Sequence, residues 1–282
     1  MSVLSRAVLV TGCTSGIGAA VARRLSRAGY PVYASGRGRD RLEPLVSEGI
    51  NILDLDVTDE ASMQAATKQI TDEHGAVGVL INNAGFAIPG VLEETSLAAV
   101  RVQFETNVFG ALRLVQLALP GMRAQGWGRI VNISSILGRA APPGGGIYDA
   151  TKHALEGLSD ALRLEVAGFG VRTVLIEPGP VRTQFGRHAV AAMTGDLDEY
   201  ADFRVALASW YRAVFGPGRP SGLGRFALAP DAVAATVERA VRARHPRARY
   251  PVGLIAHAFL ALRRTLPDSL FDTFVRAQFP VP

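Results

Sequence analysis

The chain has 282 residues, 48% of them hydrophobic, enough to bury a sizeable core, and a formal net charge of +5. Its basic residues are spread along the whole length with no aromatic-interleaved stripe, which argues against a nucleic-acid partner. A single cysteine, Cys13, excludes an intramolecular disulfide and a cysteine-based metal site, and no metal is expected.

Ser5 and Arg6 run straight into a strand-like segment, so no signal peptide is expected and the expected location is cytoplasmic. Short β-branched runs at 7–11, 32–35, 50–53, 79–82, 129–134, 171–177 and 249–252 alternate with stretches of helical period. Ile17, Val21 and Leu25 form one such helical stripe, and Leu155, Leu158, Leu162 and Val166 another. The alternation predicts a doubly wound α/β Rossmann fold, a single domain over 1–282, with one parallel sheet of about seven strands and helices on both faces. Ligands in such folds bind at the carboxyl ends of the strands, so the residues just after each strand carry the functional expectation.

The first strand ends in Thr11-Gly12-Cys13-Thr14-Ser15-Gly16-Ile17-Gly18, a glycine turn leading into a helix. Such a turn lets the backbone approach a pyrophosphate, whose charge is favoured at a helix N-terminus. The second strand ends in Ser35-Gly36-Arg37. Enzymes that use NAD place a carboxylate there for the ribose 2′-hydroxyl, whereas Arg37 suits the 2′-phosphate of NADP. The plain alternative for Arg37 is a solvated loop charge. Asn82-Asn83-Ala84-Gly85 follows the fourth strand, Asn107 lies in a predicted helix, and Ser134-Ser135 closes the fifth strand. Tyr148-Asp149-Ala150-Thr151-Lys152 opens the next helix, and Pro178-Gly179-Pro180-Val181-Arg182-Thr183 follows the sixth strand.

Residues four apart share a helix face, so Lys152 reaches Tyr148. A unit charge ~4 Å away at an effective dielectric of ~20 contributes roughly 4 kcal/mol. That would bring a phenol from its ordinary pKa near ~10 toward neutrality. Lys68 and Lys152 are the only lysines in an arginine-biased chain, which suggests that guanidinium does not serve at position 152.

In this order the motifs resemble the classical short-chain dehydrogenase/reductase family over about residues 7–186. The resemblance implies hydride transfer between a nicotinamide cofactor, NADP on the argument above, and a carbonyl or alcohol carbon. It implies that Tyr148 exchanges the proton and that Lys152 lowers its pKa and binds the nicotinamide ribose. Ser135, which fits the family spacing better than Ser134, orients the substrate oxygen, and Asn107 holds a water between Lys152 and solvent. Implied cofactor contacts are Thr11, Gly12, Thr14, Ser15, Gly16, Ile17 and Gly18 in the turn, Arg37, and Asp56 with Val57 at the adenine. Asn83, Ala84 and Gly85 are implied after the fourth strand, and Pro178, Gly179, Val181 and Thr183 at the carboxamide. A homodimer or homotetramer through the helices of Asn107 and Tyr148 is implied as well. The rivals are an NAD-dependent alcohol dehydrogenase of the same family and a dinucleotide-binding sensor without turnover, which is expected to have lost Tyr148 or Lys152.

Residues 187–282 fall in the family's variable part, with a substrate lid at 187–228 and a C-terminal segment at 229–282. In the lid, Tyr200, Phe203, Leu207, Trp210, Tyr211, Val214 and Phe215 recur at helical spacing. Facing inward, they make a greasy pocket; otherwise they pack on the sheet or on another subunit. The expected substrate is a lipophilic ketone, aldehyde or alcohol of steroid-, retinoid-, terpenoid- or polyketide-like kind. The Gly/Pro-rich stretch from Gly216 to Gly224 reads as a mobile loop. The apolar run at 254–262 is far shorter than the ~20 residues of a spanning helix. The tail to Phe279 is expected to pack on the domain or a partner rather than on a membrane.

Overall fold

The computed structural model describes residues 4–215 and 222–282. In chain order it contains β1 (Val8–Val10), α1 (Gly16–Arg27), β2 (Val32–Gly36), α2 (Glu43–Val46), β3 (Asn51–Asp54), α3 (Glu60–His74), β4 (Val79–Asn82), α4 (Leu97–Phe104) and α5 (Gly110–Ala124). There follow β5 (Gly128–Ile133), α6 (Gly146–Glu165), β6 (Val171–Pro178), α7 (Phe185–Ala191), α8 (Ala201–Phe215), α9 (Pro230–Arg242), β7 (Arg249–Val252), α10 (Leu254–Thr265) and α11 (Asp268–Gln278). The strands form one seven-stranded sheet in the order β3-β2-β1-β4-β5-β6-β7, with every neighbouring pair parallel. The order reverses between β1 and β4, which opens a crevice at their carboxyl ends.

Successive strand residues point to opposite faces, and both faces are buried. Val8, Val10, Val79 and Ile81 pack with Val21 and Leu25 of α1 and Val233 and Val237 of α9. Leu9 and Leu80 pack on the other face with Ile70 of α3 and Leu114 of α5. Each fully buried Leu or Ile adds about 1.5 to 3 kcal/mol relative to exposure, so the sheet is a firm platform for the residues at its edge. Side-chain caps mark where helices begin: Asp59 accepts from the amides of Ala61 and Ser62 ahead of α3, and Ser96 from Ala99 ahead of α4. The N-terminus of α1 has no such side-chain cap, which leaves its first amides free for another acceptor.

Two expectations about local structure change. Asn107 does not sit in an ordinary helix but in a π-helical turn, Glu105–Phe109, between α4 and α5, where the wider turn carries its side chain to the loop after β4. Of the stretch read as a mobile loop, residues 216–221 lie outside the described residues, and Gly222–Phe226 forms a short 3-10 turn. Among the described residues, no helix is long and apolar enough to cross a membrane.

Candidate active site

The glycine turn and the loop after β4 are stitched together by side-chain-to-backbone hydrogen bonds. Thr11 Oγ1 accepts from the amides of Asn83 (3.0 Å) and Ala84 (2.9 Å). Asn83 Nδ2 donates back to the carbonyls of Thr11 (2.8 Å) and Gly12 (3.1 Å). Thr11 and Asn83, expected as cofactor contacts, thus use these side-chain atoms to fix the turn. A Cβ on Gly18 would lie 2.3 Å from the Gly12 carbonyl oxygen, so no other residue fits. Gly16 approaches Thr183, with an added Cβ only 3.1 Å from its Cγ2, which brings the segment after β6 to the turn. Burial pushes the Cys13 thiol up to about 12, and Sγ donates to Val10, so this cysteine is an inert filler of the turn.

Beside the turn lies a cavity of about 760 Å³ whose wall includes Thr14, Ser15, Gly16, Arg41, Arg182 and Arg187. Arg37 follows β2 as an exposed side chain and is not part of that wall; the arginine from this loop that is part of it is Arg41. A Cβ on Gly36 would come within 2.9 Å of Thr14 Cγ2, so a side chain at the carboxylate position typical of NAD enzymes would have to displace the Thr14 methyl. Asp56 Oδ1 accepts from the Thr58 amide (2.9 Å) and hydroxyl (2.8 Å), a local turn, and Val57 is buried against Gly110. Ile17 packs on the core, and Val181 forms a bridge with Leu228. Thr183 Oγ1 accepts from the Phe185 amide (3.2 Å), and the Gly179 amide donates to Val252. Pro178 ends β6.

Ser135, Tyr148 and Lys152 converge beyond β5. Ser135 Oγ accepts from the Leu137 amide at 3.1 Å, and it is Ser135, not Ser134, whose hydroxyl acts to lower the Tyr148 phenol. Lys152 Nζ donates to the Ile133 carbonyl (2.8 Å) and lies 5.6 Å from the centroid of the Tyr148 ring. Asn107 Nδ2 donates to the Phe86 carbonyl (2.9 Å) and to Thr151 Oγ1 (3.0 Å), while Oδ1 accepts from the Phe86 amide (3.1 Å). Its amide therefore clamps the loop after β4 to α6. An added Cβ on Gly85 would be 3.0 Å from Asn107 Oδ1, so Gly85 makes this clamp possible.

The expected sign of the Tyr148 shift is also corrected. Burial, and then the Asp149 carboxylate, push the phenol above its ordinary range, against the Ser135 hydrogen bond, which lowers it. Burial lowers Lys152 to about 8, opposed by Glu156, and its ammonium donates to the Ile133 carbonyl.

Sequence reasoning missed several supporting groups. Thr151 Oγ1 donates to the Tyr148 carbonyl (2.7 Å) while accepting from Asn107. Asn82 donates to Asn132 (2.9 Å), which donates to Ser159 (2.8 Å), linking β4, β5 and α6 through buried amides. Polar residues in strand centres were the available signal, since burial there requires a partner. Asp149 is wholly buried, and burial pushes its carboxyl up to about 9.

The lid stripe faces the site. Phe203, Leu207 and Tyr211 of α8 cluster with Ala87, Ala189 and the Tyr148 ring, and Phe185 stands edge-on to Tyr148 at 5.5 Å. Tyr200 turns away and donates to Glu93 (2.9 Å). Trp210 stacks on Phe279 at 5.0 Å and donates to the Gln278 carbonyl (3.2 Å). Phe259, Phe271 and Val275 of the C-terminal helices pack on Ile136 and Ala140, just after Ser135. The tail therefore packs on its own chain and joins the serine loop to the lid.

A sequence profile of the short chain dehydrogenase family matches residues 6–194. The uncharacterized oxidoreductase YbbO of Escherichia coli (strain K12) is 38% identical over 276 residues, 97% of this chain and 95% of that protein. A 3-ketodihydrosphingosine reductase of Bacteroides thetaiotaomicron is 34% identical over 278 residues, 97% of this chain and 98% of that one. The crystal structure of a short-chain dehydrogenase from Streptomyces avermitilis superposes with a TM-score of 0.79 at 33% identity, covering 98% of this chain and 97% of its own.

Proposed function

The chain belongs to the short-chain dehydrogenase/reductase family, and from that premise we infer that it is an NADP(H)-dependent oxidoreductase interconverting a lipophilic ketone or aldehyde and its alcohol. The observation that carries this reading is the Tyr148 ring set in an apolar cluster with the Lys152 ammonium 5.6 Å from its centroid, and with the Ser135 hydroxyl acting to lower the phenol. The Ser135 hydroxyl and the Tyr148 phenol would together hold and polarise a carbonyl oxygen. In reduction Tyr148 gives its proton to that oxygen, and burial keeps the phenol in the protonated form that this step requires. Lys152, about 8, remains mainly cationic at neutral pH and suits ribose hydroxyls. Asn107 and Thr151 hold the helix turn that carries both groups. The bound nicotinamide supplies or accepts the hydride.

The dinucleotide fits the residues present. The uncapped start of α1 and a turn that a Cβ at Gly18 would fill leave bare backbone for a pyrophosphate. Arg41, Arg182 and Arg187 around the adjoining cavity, and Arg37 outside it, favour the extra phosphate of NADP, and glycine at position 36 supplies no carboxylate of the kind that would favour NAD. The aromatic and aliphatic lid supports a lipophilic substrate, as does the name of the Bacteroides reductase. Exposed Phe109 and Leu164, on the side of Asn107 and α6, support a homodimer or homotetramer.

The test is a turnover screen of methyl ketones of increasing chain length with NADPH and NADH. The expected result is kcat/KM that rises with chain length, with at least about a tenfold preference for NADPH. Equal use of NADH would favour the NAD-dependent alternative. NADPH binding with no turnover of any carbonyl would favour the sensor.

A further inference from the structure

A buried charge pair joins the loop after β4 to the lid. Glu94, whose side chain is 1% exposed, pairs with Arg204 of α8, 22% exposed and 110 residues further on. Both also hold the backbone between them. Glu94 Oε1 accepts from the Leu197 amide (2.9 Å), and Arg204 Nη1 donates to the Leu197 carbonyl (2.9 Å). The carboxylate, the guanidinium and the two backbone polar groups of Leu197 thus close a ring. Gly195, at φ +139, passes over it, and a Cβ there would collide with Glu94 Oε2, so only glycine suits the crossing.

A charge pair removed from water adds little net stability, yet separating it is costly, so it fixes where its two elements sit. Here those elements carry the lipophilic wall. Arg204 adjoins Phe203 and stands one helical turn before Leu207, and these two side chains pack with Ala87 and Val91 of the loop after β4 and with the Tyr148 ring. They also press on the glycine run that opens α6, Gly144, Gly145 and Gly146. A Cβ on Gly144 would lie 2.5 Å from Leu207 Cδ2 and 3.2 Å from Phe203 Cζ. The Gly90 amide donates to the Gly144 carbonyl (3.0 Å), which ties the same loop to the glycine run.

Resting on the carbonyl chemistry above, we propose that Glu94 and Arg204 are positioning residues that set chain-length specificity: the pair holds Phe203 and Leu207 close over Tyr148, and that closeness selects a long alkyl ketone over a short one. A methylene gains only where it touches a wall. With α8 released from Glu94, the far part of a long chain returns to water, while a short ketone bound beside Tyr148 loses little. Neither residue takes part in proton or hydride transfer.

The experiment combines hydrogen exchange read by mass spectrometry with steady-state kinetics of the full chain. Glu94→Gln removes the negative charge at nearly constant shape, and Arg204→Met removes the positive one. Arg204→Lys is the conservative variant, since a single nitrogen, Nη1, makes both arginine bonds. In Glu94→Gln and Arg204→Met the amides of 195–207 are expected to exchange at least about tenfold faster, with the glycine turn at its wild-type rate. With NADPH, the ratio of kcat/KM for decan-2-one to that for butan-2-one should fall at least about fivefold, through KM for decan-2-one and with kcat kept within about twofold. Arg204→Lys should bring both readouts back to within about twofold of wild type. If Glu94→Gln does not fold, the contrast of Met and Lys at position 204 decides by the same readouts. Unchanged lid exchange, faster exchange spread equally to the glycine turn, or a decan-2-one preference kept in a loosened lid would overturn the proposal. Localised loosening reversed by Arg204→Lys, where wild type turns over neither ketone, would support the pair's hold on the lid and count against the carbonyl chemistry alone.

Discussion

Around β1 and β4 the chain is held by backbone geometry, whereas around α8 and the C-terminal helices it is held by side-chain volume. In the first region the Thr11 hydroxyl and the Asn83 amide bond the backbones of Thr11, Gly12, Asn83 and Ala84, and Gly18 stands where a Cβ would be 2.3 Å from a carbonyl. Every atom there has a neighbour at fixed distance. In the second region Phe203, Leu207, Tyr211, Trp210 and Phe279 meet through apolar surfaces, with few directional bonds. Apolar packing tolerates exchange at constant volume, and hydrogen-bonded turns do not. The same chain thus joins a glycine turn that resists change to an apolar wall that can vary.

Gly18→Ala should break the first region most severely. Forcing a Cβ against the Gly12 carbonyl costs about 1 to 3 kcal/mol or more, so a fall in Tm of about 3 to 10 °C is expected. NADPH titration should register at least about a hundredfold weaker binding, because the turn moves off the pyrophosphate. Wild-type melting and affinity would mean that the turn is looser than its contacts imply.

Next in size are the arginines. Arg41→Ala and Arg37→Ala are each expected to weaken NADPH by about 10 to 100-fold if they grip the 2′-phosphate, with NADH little changed. Fluorescence titration of both cofactors separates them. An effect only at Arg41 would match the cavity wall, and equal losses for NADH would mean that neither reads the phosphate. Gly36→Asp is a poor probe of the same question, since its side chain would collide with Thr14.

Leu207→Met should sharpen the contrast from the other side. Volume is conserved, so stability should change by less than about 1.5 kcal/mol. Chain-length preference among methyl ketones should shift by about two- to fivefold in kcat/KM, with NADPH affinity untouched. Loss of cofactor binding would show that the two regions are not separable.

A smaller effect is pH-dependent stability. The Asp149 carboxyl is raised from 3.8 to about 9, so the unfolded chain releases a proton that the folded chain keeps. Stability contributed by this group is complete below the unfolded value and is lost as pH rises toward the folded one. Asp149→Asn should melt with wild type at pH 4 and about 2 to 5 °C higher at pH 8. Glu177, raised to about 7, and Lys152, lowered to about 8, titrate in both proteins, so the difference isolates Asp149. No gain at pH 8 would show that its carboxyl already has a partner.

The same division governs what could be read without coordinates. The strands were legible because both faces of the sheet are buried, so each runs as a short β-branched block. Tyr148 and Lys152 were legible because helical spacing fixes their shared face. The π turn at Asn107 was not, since one extra residue in a helix leaves no mark in local hydrophobic period. Arg41 was hidden because Arg37 lies nearer the end of β2, and only the path of the loop decides which side chain reaches the cavity wall. The sign of the Tyr148 shift depends on burial, which a charge-pair estimate omits. Asp149 lay inside the motif, yet the lack of a hydrogen-bond partner for its carboxyl among the described residues is a property of the glycine run and α8 around it. Lid packing on Tyr148 was one of two open readings, and the contacts of Phe203 and Leu207 decide for the inward face.

Single-turnover hydride transfer in Tyr148→Phe, with NADPH already bound and decan-2-one added, tests the central claim most directly because it separates chemistry from cofactor binding. Transfer at least about a hundredfold slower than wild type, in line with loss of a general acid, with NADPH affinity kept, is the predicted result. A rate within about tenfold of wild type would contradict Tyr148 as the proton donor.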